Sequence, residues 1–513
     1  MKTRNNFSGS LRTGATVGLL LATLGLALAA RAQTPAPAVL DQRPVAPAPT
    51  GPWTLQAAVD YAVTHNLTVR ANELTARQQE ASLRLSQAAL LPTAGFTGTQ
   101  NFTFGTNKDP LTNQFQTIRS RANNFTLSGQ VTLFSGFQLR NTIRQNVSEA
   151  EASHFDVEKS RNDLSLNVAS SFLQLLLAQE LIRASEARLS TVQAQVARSE
   201  KLLKAGAVAE GNLLDSRAQL AGEERSLVTA QNQKALAQLA LVQELNLDPA
   251  TASRFEVALP TLPDPTSFTA TADIADPNTT FELARQRLPE IKAADQRVNS
   301  ARLGLEVARG GYYPRLLLGG GVQTGYSSAR QQAIYNLDKP QATPIFQVNP
   351  TVPGGYSPST YVLLQPTVQT LPFGFFDQLT SNRGEFIQFT LNIPILNGLQ
   401  TRIGVQRAQL NIEQAGLRAE QTRLQLRQSI QQSYADALAA QRRYAASARQ
   451  VEALTLAFRN AEIRFNNGLL NGTDFNIARN NLTAAESDMI QAKYEFFFRS
   501  KVLDFYQGKP LTL

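Results

Sequence analysis

Six apolar residues spaced seven apart, Ile430, Ala437, Tyr444, Val451, Phe458 and Phe465, commit the second half of this chain to a helix holding one seam against a neighbour. Moving back by 262 positions lands on Val168, Leu175, Ile182, Leu189, Val196 and Leu203, again all apolar, and takes Gly468 to Gly206. A pattern recovered at a fixed offset is an internal duplication. The stretch from 138 to 205 is free of proline. At about 1.5 Å per residue it spans roughly 100 Å, longer than an ordinary globular domain. The 513 residues therefore read as one elongated body.

Each long helix is preceded by a segment of a different period. In FIQFTLNIPILNG, Ile387, Phe389, Leu391, Ile393 and Ile395 alternate with Gln388, Thr390 and Asn392. In FTLSGQVTLFSG, Phe125, Leu127, Val131 and Leu133 alternate with Thr126, Ser128, Gln130 and Thr132. Both predict strands with one apolar and one polar face. Earlier partners are AGFTGTQNFTF and LLLGGGVQTGY, so four strands are expected, at about 94–104, 125–134, 316–326 and 386–395. Pro394 donates no hydrogen bond and is expected at a bulge or rim. The YYP at 312–314 follows the LLP at 90–92 by 222 positions, against 262 further on. The 40 extra residues thus lie between the strands, where 105–124 becomes 327–386; both segments read as loops, the first a polar loop at 107–124.

About ten residues at roughly 3.3 Å each, tilted near 40°, cover about 25 Å, the height of the apolar band of an outer-membrane barrel. In lipid every backbone group must be paired, so the sheet must close into a ring. The smallest such barrels have about eight strands, so a chain with four must assemble with copies of itself. Two copies would leave a lumen filled by side chains and three would leave room for water; the strand pattern alone does not choose.

The remaining segments agree with export. Lys2, Arg4 and Arg12, an apolar run from about Val17 to Ala30, and Ala30-Arg31-Ala32 predict an export signal over 1–32. No later run of eighteen apolar residues predicts a membrane helix. Without 1–32 the formal charge falls from +9 to +5, spread over many helical turns, which gives no nucleic-acid footprint. Residues 33–52, with six prolines, read as a Pro/Ala-rich tether, and 248–280, with five, as a linker between repeats at 53–247 and 281–513. The first repeat opens with a helix from Trp53, Pro52 at its start, that runs to Leu91. The absence of cysteine excludes disulfides, thiolate metal sites and a lipid-modified N-terminal Cys.

Over nearly the whole of the chain after the signal, the sequence resembles the TolC-like outer-membrane efflux family. The likeness rests on WTLQAAVDYA, on LLP and YYP before the first strand of each half, and on LFSGFQLR and ILNGLQTR after the second. The paired turns KAGAVAEGNLLD and NNGLLNGTDF complete it. The resemblance implies a mainly α-helical chain with a membrane β-barrel: a homotrimer with a twelve-stranded barrel in outer-membrane lipid and an α-helical periplasmic tunnel. Its role would be the exit duct of a tripartite efflux or type I secretion system, docked onto a periplasmic membrane-fusion adaptor linked to an inner-membrane transporter. The family's tip pattern falls on Gly468, Leu469, Thr473 and Asp474, and on Gly206 in the first half. Docking is thereby expected at Gly206, Ala207, Val208, Leu213, Gly468, Leu469, Leu470, Thr473 and Phe475. A periplasmic gate is expected at Asp474, Asn212 and Ile477. Ile477 and Leu470 stand where the family uses an acid and an arginine, so an apolar constriction competes with an acidic ring of Asp474. A competing role for Asp474, with Asn212 as its equivalent, is to cap the returning helix.

Other signals lead to no chemistry. Gly319, Gly320 and Gly321 precede Val-Gln rather than Lys-Ser or Lys-Thr, so no phosphate loop is expected. His65 and His154 are far apart in sequence, so neither a metal nor any other cofactor is expected. No nucleophile with a positioned base is visible, so the chain is not expected to be an enzyme. A periplasmic adaptor is the nearest alternative, but it needs one helical hairpin and no lipid-facing strands.

Overall fold

The computed structural model describes residues 51–108, 115–206, 208–258, 276–348 and 356–509. The expected export signal at 1–32 and nearly all of the tether lie outside them. The first half runs α1 (Leu55–His65), α2 (Leu67–Ala88), β1 (Thr93–Lys108), β2 (Phe115–Ser135), α3 (Gln138–Lys204) and α4 (Glu210–Leu245). The second runs α5 (Pro277–Arg287), α6 (Pro289–Arg309), β3 (Arg315–Ser327), β4 (Gln331–Val348), β5 (Tyr356–Pro372), α7 (Phe375–Ser381), β6 (Gly384–Asn392), α8 (Gln400–Asn466) and α9 (Gly472–Tyr506).

The duplication is geometric. Helix α5 repeats α1 at an offset of 222, and α8 repeats α3 at 262, both long helices having 67 residues. Each is entered through a left-handed pair, Gly136–Phe137 (φ 60° and 63°) and Gly398–Leu399 (φ 60° and 64°). A β-carbon on Gly136 would stand 2.4 Å from the Gly310 carbonyl oxygen, so this turn from strand to helix admits only glycine. Of the twelve seam residues, Val168, Leu175, Val196, Ile430, Ala437 and Tyr444 are buried and the rest half-buried. The seven-residue spacing thus marks the packed side of both helices.

The opening helix breaks at Asn66 instead of running unbroken to Leu91. Thr54 caps α1, and Asn66 caps α2 by accepting from Thr68 N–H at 2.8 Å. The Asn66 amide also donates to the Glu244 carbonyl at 3.0 Å, fixing the break to the C-terminal end of α4. Helices α2 and α4 therefore follow one another along the side of α3. In the second half Arg287, the last residue of α5, donates to the Gln507 carbonyl at 3.3 Å, so the break between α5 and α6 is tied to the C-terminal end of α9 beside α8. The cores sit at these two junctions. Trp53, Leu55, Val69, Val168, Phe172, Leu241 and Leu245 build the first, and Phe281, Leu288, Ile291, Leu426 and Ile430 the second.

The strands β1-β2-β3-β6 form one antiparallel sheet with both outer edges open. The register gathers Phe96, Phe125, Leu127, Val131, Leu318, Val322, Ile387, Phe389 and Leu391 on one face. The other face carries Thr97, Thr99, Thr126, Ser128, Gln130, Gln323, Gln388 and Thr390. The apolar face is bare: Ile387 is 80 % exposed and Phe96 70 %. Water does not tolerate such a patch on a stable monomer, whereas lipid requires it. Tyr312 and Tyr313 are exposed just before β3, at the helical end of this band.

Three expectations for this region need correction. The polar loop at 107–124 is largely strand, because β1 reaches Lys108 and β2 begins at Phe115. Backbone pairing there needs no apolar side chains, so hydrophobic alternation did not mark it. The segment 327–386 is not a plain loop but holds the two-stranded ribbon β4–β5 and helix α7. Prolines at 340, 344, 358, 366 and 372 would be rejected by a central strand, yet each strand of a two-stranded ribbon has a free edge where proline is tolerated. Strand β6 ends at Asn392, short of the expected 395, and of the two places expected for Pro394, a bulge or the rim, the proline takes the rim.

Candidate functional site: the two hairpin tips

Each long helix turns back through a glycine whose backbone is left-handed, Gly206 with φ +72° and Gly468 with φ +74°. Gly206 N–H donates to the Leu203 carbonyl at 2.9 Å and Gly468 N–H to the Phe465 carbonyl at 3.0 Å, closing the helix ends. Leu469 N–H adds a bond to the Arg464 carbonyl at 2.8 Å. No atom lies within 4 Å of a β-carbon built on either glycine, so backbone conformation and not crowding selects glycine here.

Inside each tip one apolar residue from the returning helix plugs the seam. Phe475 is 6 % exposed and lies between Phe465, stacked at 4.5 Å between ring centroids, and Phe458 at 5.5 Å. At the duplicated position Leu213 is buried with Val192, Val196, Leu203 and Leu220. Two of the expected docking residues thus face inward and set the shape of the tips. Gly206, Gly468, Leu469 and Thr473 are exposed, and Val208 and Leu470 half-buried; Ala207 lies outside the described residues.

The capping role considered for Asp474 belongs to Asn471. Asn471 accepts from Asp474 N–H at 2.8 Å, while its amide donates to the Asp474 carboxylate at 2.9 Å. Asp474 is therefore the third helical residue, reciprocally bonded to the cap. The first tip lacks this arrangement: Ala209 precedes α4 without a side-chain cap, and Asn212 stands third in the helix. Both Asn212 and Asp474 are exposed, as is Ile477 one turn further on. The tips meet within one chain, since a β-carbon on Gly472 would stand 3.7 Å from Asn212 Oδ1.

Behind the tips the hairpins are joined by polar contacts that helical periodicity did not reveal. Arg188 on α3 lies 3.7 Å from Glu223 on α4 and donates to Ser487 on α9 at 3.2 Å and to Ser185 at 2.9 Å. Arg479 on α9 is buried, which pushes its guanidinium pKa down, while the charge of Glu223 opposes the shift. Two cations share one carboxylate where the hairpins cross. Tyr494 of α9 packs into the first core, and burial pushes its hydroxyl pKa up to about 12, with Glu180 adding to the shift and Arg183 opposing it. Charged residues along an amphipathic helix read as solvated from sequence, so no signal marked this crossing.

The site, over its described residues, is built of turns, plugs and caps. Among the described residues no group of three His, Asp or Glu is placed to hold a metal ion, and no helix is long and apolar enough to cross a membrane. A bare apolar sheet at one end and paired helical hairpins at the other make a membrane-facing sheet carrying a helical extension. The Outer membrane efflux protein family matches residues 58–247 and 280–497, and the chain belongs to that family. It is an outer-membrane protein with a helical periplasmic part.

A relative from Pseudomonas putida, the pyoverdine export outer membrane protein OpmQ, is 27 % identical over 294 residues, 55 % of this chain. The matched region spans 59 % of that relative's length. The outer membrane protein VceC of Vibrio cholerae superposes with a TM-score of 0.68 at 16 % identity, over 89 % of this chain and 96 % of VceC. The CmeC outer membrane channel of Campylobacter jejuni does so with 0.68 at 17 %, over 90 % of this chain and 87 % of CmeC. At these identities the likeness concerns the fold.

Proposed function

We propose that this chain is the passive outer-membrane exit duct of an efflux or type I secretion system. It works as a homotrimer docked at its hairpin tips onto a periplasmic adaptor and, through it, an inner-membrane transporter. The observation that carries the reading is the amphipathic sheet with two open edges. Four strands cannot close in lipid, and three copies would supply twelve, enough to enclose water. Stripes of exposed apolar residues at seven-residue spacing, Ile403, Leu410, Leu417 and Leu424 on α8, with Leu67 and Leu74 on α2, offer further surfaces for neighbouring copies.

On this reading Gly206, Ala207, Val208, Gly468, Leu469, Leu470 and Thr473 present the docking surface. Leu213 and Phe475 hold it in shape from within. Asp474, Asn212 and Ile477 line the periplasmic aperture. The exposed Ile477, one turn on from the exposed Asp474, favours a constriction that is apolar with one acidic ring. A duct of this kind leaves cargo selection to the pump, so the pyoverdine export named for OpmQ is one cargo class among those the fold admits.

Planar-bilayer recording tests the reading. The purified protein should insert as a narrow pore, and Ile477→Ser should raise its conductance several-fold. A pore already wide in the native protein, or no pore at all, would overturn it.

A further inference from the structure

The outer end of the sheet carries a built cationic surface that neither pore formation nor tip docking uses. The lipid-side face of β2 is apolar from Leu133 to Phe125 and then changes to Asn123, Arg121 and Arg119. Arg121 stands four residues past Phe125. At roughly 3.3 Å per residue and a tilt near 40° this is about 10 Å above the apolar band. Headgroups add about 5–8 Å on each side of the hydrocarbon, so a flexible arginine here meets their charged layer. Phe102 and Phe104 pair directly with Arg121 and Arg119 on the same face, forming aromatic and cationic couples at that height.

A clamped helix completes the surface. Thr324 and Tyr326 share the lipid-side face of β3, and Thr324 donates to the Leu379 carbonyl of α7 at 2.6 Å. Gln378, fully buried, accepts from Ser327 N–H and donates to the Ser327 and Phe373 carbonyls, each at 2.9 Å. Asn382 donates to the Gly325 carbonyl at 2.6 Å. The seven-residue helix is therefore held rigidly against the membrane side of the sheet, leaving Phe376 70 % exposed. Arg121 lies 5.4 Å from the Tyr326 ring, and Arg330 lies 5.0 Å from the Phe373 ring while bonded to Asn382. Glu385 is paired with Arg383, and the Asp377 carboxylate lies over Gly374. Among the described residues neither Arg119 nor Arg121 has a carboxylate partner.

We propose that Arg119, Arg121 and Arg330, with Tyr326 and Phe376, seat the phosphorylated headgroup of an anionic outer-leaflet lipid. Guanidinium forks take the phosphate oxygens, and the exposed ring of Phe376 lies against the acyl chains. The seat lies within one chain. It rests on the membrane placement of the sheet and is independent of trimer closure and of tip docking.

The test titrates the purified full-length assembly in mild detergent with bis-phosphorylated lipid A, counting retained lipid by native mass spectrometry. Parallel arms use the same lipid after enzymatic dephosphorylation, and inorganic phosphate as competitor. Wild type should retain the phosphorylated lipid at least tenfold better than the dephosphorylated one, and millimolar phosphate should not displace it. Arg119→Gln with Arg121→Gln, both exposed and expected to leave folding intact, should remove the preference, and Phe376→Ala should weaken retention of both lipids. Equal retention of the two lipids by wild type, unchanged preference in the double variant, or full displacement by inorganic phosphate would each overturn the proposal. Conductance and export do not enter the readout, so loss of either would bear on the duct reading alone.

Discussion

Replacing Phe475 by alanine tests whether the second tip is held from inside. The ring is nearly fully buried and packs on Phe465 and Phe458 at 4.5 and 5.5 Å. Truncating a buried phenylalanine costs about 3–5 kcal/mol, including about 0.5–1.5 kcal/mol for each lost aromatic pair. The tip is a hairpin end and can relax partly into the vacated space, so the lower figure, about 3 kcal/mol, applies. Since about 1.4 kcal/mol is a factor of ten in an opening equilibrium, amides over 462–478 should exchange with solvent about a hundredfold faster. The junction cores around Trp53 and Ile430 should keep native protection, because they lie in separate clusters. Hydrogen–deuterium exchange on the purified protein reads both regions at once. Unchanged exchange at the tip would refute the plug, and loss of protection throughout the chain would refute its local nature.

Four further outcomes follow from the geometry. Gly468→Val should destabilise the second tip by about 1–2 kcal/mol through its left-handed backbone and reduce export, whereas Gly468→Asn should be nearly neutral; local exchange and an export assay separate them. Ile387→Arg places a charge on the lipid face and should cost about 2–4 kcal/mol near mid-membrane, seen as loss of the heat-labile oligomer on gels. Tyr494 has a folded pKa raised from 10 to about 12, so its contribution is whole below pH 10 and is lost as pH rises through 12. Alkaline denaturation should therefore steepen in that window by about 2–3 kcal/mol, and Tyr494→Phe should flatten it. Deleting the ribbon from Gln331 to Pro372 should leave the assembly inserted, since the ribbon pairs with no strand of the main sheet.

The long helices were legible because their seam repeats every seven residues twice over, and the main strands because lipid enforces strict alternation on one face. Those constraints act over many residues and leave periodic traces. What stayed hidden was set by single contacts. Asp474 reads as a cap in sequence, and only the bond from Asp474 N–H to the Asn471 side chain moves that role to Asn471. Phe475 belongs to a tip motif, yet the stack on Phe465 turns it inward. The crossing of Arg188, Glu223 and Arg479 joins residues far apart in the chain, and nothing local distinguishes them from the solvated charges around them. The ribbon lies in the segment that the two repeats do not share, so the duplication carried no trace of it, and its prolines sit where a free edge accepts them.

The absence of native cysteine allows the ring itself to be counted. Phe389→Cys on the open edge strand β6 can be combined in turn with cysteines along β1 of the same chain and oxidised in native outer membranes. Strand closure between copies predicts one register of pairs that cross-links efficiently and a covalent ladder that stops at three chains. A ladder ending at any other number, or cross-links confined within single chains at every register, would contradict it.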